Sequence, residues 1–149
     1  MFLVQPFHRN IARAQAKAPK LYFYDWAYVQ NTAMPDDQPG AQFENLVATH
    51  LLKHACFMAD SAGEEVALNY LRTTSGKEID FVLTNAAGEA THFIEVKWSD
   101  AKPSFSLKQM AQTHPNAQAV QLVRQTRHAF DRDGVAVRPA PQWLADLAA

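Results

Sequence analysis

Gly76-Lys77-Glu78-Ile79-Asp80-Phe81-Val82-Leu83 and Phe93-Ile94-Glu95-Val96-Lys97-Trp98 are the two stretches on which the reading of this chain turns. Each is an apolar run interrupted by charge. Residues 79–83 read as a strand, 85–88 as a turn and 91–96 as the next strand. Upstream, Val66, Leu68 and Tyr70 alternate across 65–72, so a strand is expected there too, with a turn at Ser75-Gly76. Three strands joined by short turns make an antiparallel meander. Before it, Phe43, Leu46, Val47 and Leu51 recur at helical spacing, which predicts a helix over 41–55 with Glu44 in its first turn, where a carboxylate suits the helix dipole. After it come an expected helix over 104–113, strands over 117–123 and 135–137, and a short helix over 142–147 behind Pro141. At the other end, the aromatic run over 20–25 reads as a strand and 34–40 as a loop. The expected class is α/β, a mixed β-sheet flanked by helices.

Composition agrees with one domain. The chain has 149 residues, 48% of them hydrophobic and 11% aromatic, which is enough apolar material for a single core and too much for disorder. No apolar run approaches the roughly 20 residues of a membrane span. A lone Cys56 excludes an internal disulfide and a cysteine-rich zinc site, and reads as a small buried thiol. A cytoplasmic protein with no membrane partner is expected. Net charge is −1, which excludes a strongly basic nucleic-acid coat but not nucleic acid as a substrate. The charge is uneven: 1–20 hold Arg9, Arg13, Lys17 and Lys20 with no acid, while Arg124, Arg127, Arg132 and Arg138 gather late. Residues 1–19 are read as a basic arm and 20–149 as the folded domain.

The chemistry concentrates at Asp80, Glu95 and Lys97. Glu95 and Lys97 are two apart on one strand, so their side chains share a face. Asp80 stands on the neighbouring strand and can approach Glu95. Carboxylates beside an ammonium group are costly to bury without a compensating ion. Oxygen donors from Asp80, Glu95 and the Val96 carbonyl suit Mg²⁺ or Mn²⁺. Such a site polarises a phosphodiester, with Lys97 orienting water or stabilising charge on the transition state. Arg72 and Lys77 flank these strands and are candidate phosphate contacts. His50 and His54, four apart on the helix, are read as helix-surface histidines.

Asp80 and Glu95-Val96-Lys97 at this spacing resemble the PD-(D/E)xK nuclease superfamily, with Ile79 in place of the proline. Taken with 18–25, Phe43-Glu44-Asn45-Leu46-Val47, Tyr70-Leu71-Arg72-Thr73 and 76–83, the pattern resembles DUF4143, the C-terminal domain of a group of prokaryotic AAA-type ATPases. The resemblance spans about residues 18–125. It implies a restriction-endonuclease-like fold and a Mg²⁺- or Mn²⁺-dependent nuclease-like site acting on DNA. Asp80 and Glu95 take the metal-ligand roles, Lys97 that of the catalytic lysine and Glu44 that of the helix carboxylate. Gln109 matches a glutamine that some relatives place near the site. An AAA-type ATPase domain or chain is an implied partner. No Gly-rich Lys-Ser/Thr phosphate loop appears in this sequence, so it reads as the C-terminal domain alone. The competing expectation is a non-catalytic module that binds nucleic acid or docks an ATPase on the same fold.

Overall fold

The computed structural model describes residues 1–7, 17–25, 39–73 and 76–147. In chain order its elements are β1 (Phe2–Pro6), β2 (Lys20–Tyr22), α1 (Pro39–Ala62), β3 (Ala67–Arg72), β4 (Glu78–Thr84), β5 (Ala90–Lys97), α2 (Phe105–Thr113), β6 (Gln118–Val123), β7 (Phe130–Arg132), β8 (Val135–Pro139) and α3 (Ala140–Ala145). The strands form one mixed sheet in the order β2-β1-β3-β4-β5-β6-β8-β7. The expected meander is its centre: β3, β4 and β5 pair antiparallel, and β6 and β8 then continue parallel to β5. Among the described residues no helix is long and apolar enough to cross a membrane.

The two faces of the sheet bury different sides of the same strands. On one face Phe43, Val47, Ala48 and Leu51 of α1 pack against Phe81, Leu83, Ile94, Val120 and Leu122. On the other, Leu107 of α2 packs against Val82, Phe93, Ala119, Val123, Val135 and Val137. Covered on both faces, β4 and β6 carry the unbroken apolar runs Phe81-Val82-Leu83 and Leu122-Val123 instead of strict alternation. Ser104 caps α2, its hydroxyl accepting from Leu107 N at 3.1 Å.

Several expected features change. Residues 2–6, inside the stretch read as a basic arm, form β1, which pairs with β2 and β3 and buries Val4. Lys17, also in that stretch, donates its ammonium to the Arg72 carbonyl, whereas Arg9 and Arg13 lie outside the described residues. Helix α1 starts at Pro39, two residues earlier than the apolar spacing suggests, so its first turn holds no acid and Glu44 belongs to the second. Pro suits a first helical position because its missing N–H has no partner there anyway. Cys56, expected to be buried, is an exposed thiol, one position past the buried Ala55 on α1. Strand β7 was not expected. It is paired to β8 through Asp133-Gly134, whose φ values of 55° and 78° are those of a tight hairpin turn.

One buried polar residue organises the loop into α2. Gln121 is fully buried on β6. Its Oε1 accepts from Ser104 N at 3.0 Å, and its Nε2 donates to the carbonyls of Asp100 and Lys102 at 3.0 and 2.9 Å. Gln121→Leu strands all three backbone groups, and we expect it to cost about 2–3 kcal/mol in urea unfolding.

Candidate functional site

The ladder between β4 and β5 runs only as far as Phe81 opposite Ile94. Beyond that pair the two strands part, and Asp80, Glu95 and Lys97 stand at the opening. There the Asp80 carboxylate takes over the role of a strand: its Oδ2 accepts from Val96 N at 2.8 Å.

A β-bulge decides which way Asp80 faces. Val82 pairs with Asn69 and Ile79 with Leu71, so Asp80 and Phe81 stand together opposite Tyr70. Ile79 and Val82 consequently pack on the same, α2, side of the sheet, although three residues apart in a regular strand would be on opposite sides. Asp80 is turned to the α1 side with Phe81. There it comes within electrostatic reach of Glu44 of α1 and of Lys20 and Tyr22 of β2. On β5 the register with β6 is unbroken from His92 to Lys97, so Glu95 and Lys97 keep strict alternation and share the α2 side with Phe93. The carboxylates therefore reach the opening from its two sides, where a plain hairpin would have placed them on a single face.

On the α1 side the charges are tied together. Tyr22 donates its hydroxyl to Glu44 Oε1 at 2.6 Å, and Lys20 Nζ lies 3.4 Å from the same oxygen. Lys20 also pairs with Glu78, which Arg72 holds at 2.7 Å. Burial works against the Lys20 ammonium, yet Glu44, Glu78 and Asp80 together raise its pKa above the ordinary value. Burial and then Glu44 push the Tyr22 phenol far up, so it stays a donor. Burial also opposes the Glu78 charge, but the bonds from Lys20 and Arg72 outweigh it and hold the carboxyl below its usual range. Asp80 is different. Burial of its carboxylate, then the charge on Glu44, push it up to about 7, with Glu95 adding to the rise and Val96 N–H and Lys20 opposing it. Its proton is therefore in play near neutrality.

On the α2 side Glu95 is 4% exposed. Its Oε2 is buried and accepts no hydrogen bond, although Lys97 Nζ stands 3.5 Å away as an ion-pair partner. The ammonium is close enough to attract but is not aimed at the oxygen. Beside it a recess of about 470 Å³ gathers Lys97, Lys102 and Lys108, the last held 2.6 Å from Asp133.

The remaining candidates lie apart from the opening. Lys77 sits over the Phe105 ring at 4.0 Å, Arg72 is engaged by Glu78, and Gln109 is exposed on α2. His54 Nδ1 contacts the Leu147 carbonyl at 2.8 Å, tying α1 to the end of α3. Among the described residues no group of three or more His, Cys, Asp or Glu side chains is arranged to hold a metal ion by itself. Lys20, Tyr22 and Glu78 are participants that the sequence reading did not single out. The signal available was the alternation of Lys20 and Tyr22 on one face of an aromatic strand.

The family model described as a domain of unknown function, DUF4143, matches residues 39–143. No curated protein and no solved structure matches the chain. The matched span contains α1, the whole antiparallel meander with its bulge and opening, α2 and the parallel strands, and it ends within α3. The chain belongs to the DUF4143 family.

Proposed function

We propose that this is a divalent-cation-dependent nuclease domain of the PD-(D/E)xK type, on a restriction-endonuclease-like fold, hydrolysing DNA phosphodiesters. The observation that carries the reading is Glu95. A carboxylate this deeply buried, with one oxygen left without a hydrogen bond, is costly unless something cationic completes it. The donor set fits a hard cation: oxygens of Asp80, Glu95 and the Val96 carbonyl would hold Mg²⁺ or Mn²⁺, with water filling the rest of its shell. When bound, the cation supplies Lewis-acid polarisation of the phosphodiester and acidity to its water.

The chain's own residues do the rest. Lys97 presents its ammonium to the phosphate oxygens where negative charge builds. Glu44, held by Tyr22 and Lys20, keeps a carboxylate on the far side of the opening, available to orient water. Water adds to phosphorus, one P–O ester bond breaks, the departing oxygen takes up a proton, and a phosphate monoester and a free hydroxyl remain. Lys102 and Lys108, beside Lys97, favour a polyanionic substrate. An AAA-type ATPase domain or chain remains the partner implied by the family resemblance.

A second reading draws on the Asp80 carboxylate bonding Val96 N: that bond alone gives the acid a structural purpose, in a domain that only binds nucleic acid or docks a partner. End-labelled DNA, single- and double-stranded, incubated with Mg²⁺, Mn²⁺ or EDTA separates the two. For the nuclease, cleavage requires metal and falls at least 100-fold in Glu95→Gln and in Lys97→Met, with circular dichroism unchanged. Absence of cleavage together with absence of calorimetric metal binding at millimolar concentration leaves the binding module.

A further inference from the structure

We propose that a groove at the carboxyl ends of the parallel strands β5, β6 and β8 binds a single-stranded segment of nucleic acid, with Arg124 and Arg127 as its phosphate contacts. The inference rests on the nucleic-acid side of the reading above and not on hydrolysis. The groove encloses about 960 Å³. Open parallel sheets place ligands outside the carboxyl ends of their strands. Here that edge also touches the candidate site: Arg124 N donates to the Lys97 carbonyl at 3.0 Å and Gln125 N to the Trp98 carbonyl at 2.9 Å. The groove and the candidate site are thus joined through the backbone at the ends of β5 and β6, with the Lys97 side chain on the α2 side and the groove beside α3.

The arginines lining it are not equivalent. Arg138 is consumed by the fold: its guanidinium pairs with Asp131 at 2.7 Å and donates to the carbonyls of Phe130 and Val137 at 3.0 and 2.9 Å. Arg124 and Arg127 are exposed and have no carboxylate partner among the described residues. Two unspent guanidiniums are a pair of bidentate phosphate donors. The rest of the lining mixes the apolar Pro139, Pro141 and half-buried Trp143 with Gln125, Thr126, Gln142 and Asp146, whose carboxylate accepts from Gln142 Nε2 at 3.1 Å. Cationic and apolar surface interleaved in this way suits a single strand, whose phosphates and base faces are both available, better than a duplex with its bases stacked inside. Arg132, read from the sequence as part of the same basic cluster, lies on β7 outside the groove.

The test is fluorescence anisotropy of a 5′-fluorescein 20-nucleotide single-stranded DNA with the full chain in EDTA, which removes cleavage from the measurement. Arg124→Gln/Arg127→Gln is expected to weaken binding at least tenfold and to reduce the slope of log K against log salt by about 1.4, two contacts' worth of counterion release. Arg132→Gln serves as a surface-charge control and is expected to bind as wild type. Wild-type affinity in the double variant overturns the groove, as does an equal loss in Arg132→Gln, or no binding by the wild type at 50 mM salt. If cleavage fails while the double variant alone loses the oligonucleotide, the nuclease reading falls and the groove stands.

Discussion

Asp80→Asn is expected to stabilise the protein by roughly 2–4 kcal/mol at pH 8 and by almost nothing at pH 4. In the folded chain burial and Glu44 push the carboxyl from 3.8 up to about 7. A raised pKa on an acid means that folding favours the neutral form. Between about pH 4 and 7 the folded state holds the proton that the unfolded chain has lost, so stability falls as pH rises through that window. Three pK units correspond to about 4 kcal/mol, and the partial exposure of the residue lowers the figure. Asn keeps an acceptor for Val96 N and removes the charge. Urea unfolding of both proteins at pH 4, 6 and 8 measures the difference directly. An equal gain at all three values would show that the charge is irrelevant and that the amide packs better. The same experiment bears on metal: a cation that binds the Asp80 carboxylate offsets the charge the folded state carries at pH 8, so Mg²⁺ should raise the stability of wild type at that pH more than that of Asp80→Asn.

The elements that came through from sequence are those whose pattern is local. Helix α1 and the three meander strands each carry their own periodicity, and Asn85 announces its turn because its side chain caps Ala87 N and Glu89 N at 3.0 Å each. Strand β1 has no such signature. Phe2-Leu3-Val4-Gln5-Pro6 is apolar, short and ends in proline, and only long-range pairing with β2 and β3 makes it a strand. Strand β7 was readable from Asp133-Gly134, the strongest two-residue hairpin signal, although Phe130-Asp131-Arg132 is a three-residue, solvent-facing edge with no apolar alternation of its own. The site divides in the same manner. Glu95 and Lys97 follow from simple alternation along β5. The direction of Asp80 does not, since it depends on one extra residue in β4 opposite Tyr70, and a bulge leaves no mark on an apolar run. The meeting of Lys20 with Glu44 and Glu78 lies further out of reach, because it joins residues 24 and 58 positions apart through the fold alone.

That meeting makes Lys20 the residue whose loss should cost most on the α1 side. Its ammonium serves Glu44 and Glu78 directly and opposes the charge on Asp80 at longer range, and its side chain is only 20% exposed. Lys20→Met keeps most of the buried stem and removes the charge. Arg72 still compensates Glu78, but Glu44 and Asp80 lose their nearest cation. Removing one member of a buried ion pair costs about 3–5 kcal/mol, and partial exposure brings the expectation to about 2–3 kcal/mol at pH 8. The wild-type contribution is complete at that pH, since a lysine with a raised pKa gives up its stabilisation only as pH climbs through the folded value, above the ordinary lysine range. At pH 5 the loss should shrink, because Asp80 is then protonated and one of the uncompensated charges has gone. The double variant Lys20→Met/Asp80→Asn should recover about 1–2 kcal/mol relative to the sum of the single changes, the signature of groups that share one field. Additive effects, or an equal loss at pH 5 and 8, would reduce Lys20 to a packing residue. If millimolar Mg²⁺ raises the melting temperature of Lys20→Met more than that of wild type, the lysine has been holding charge that a divalent cation also serves, and the α1-side acids belong to the same site as Glu95.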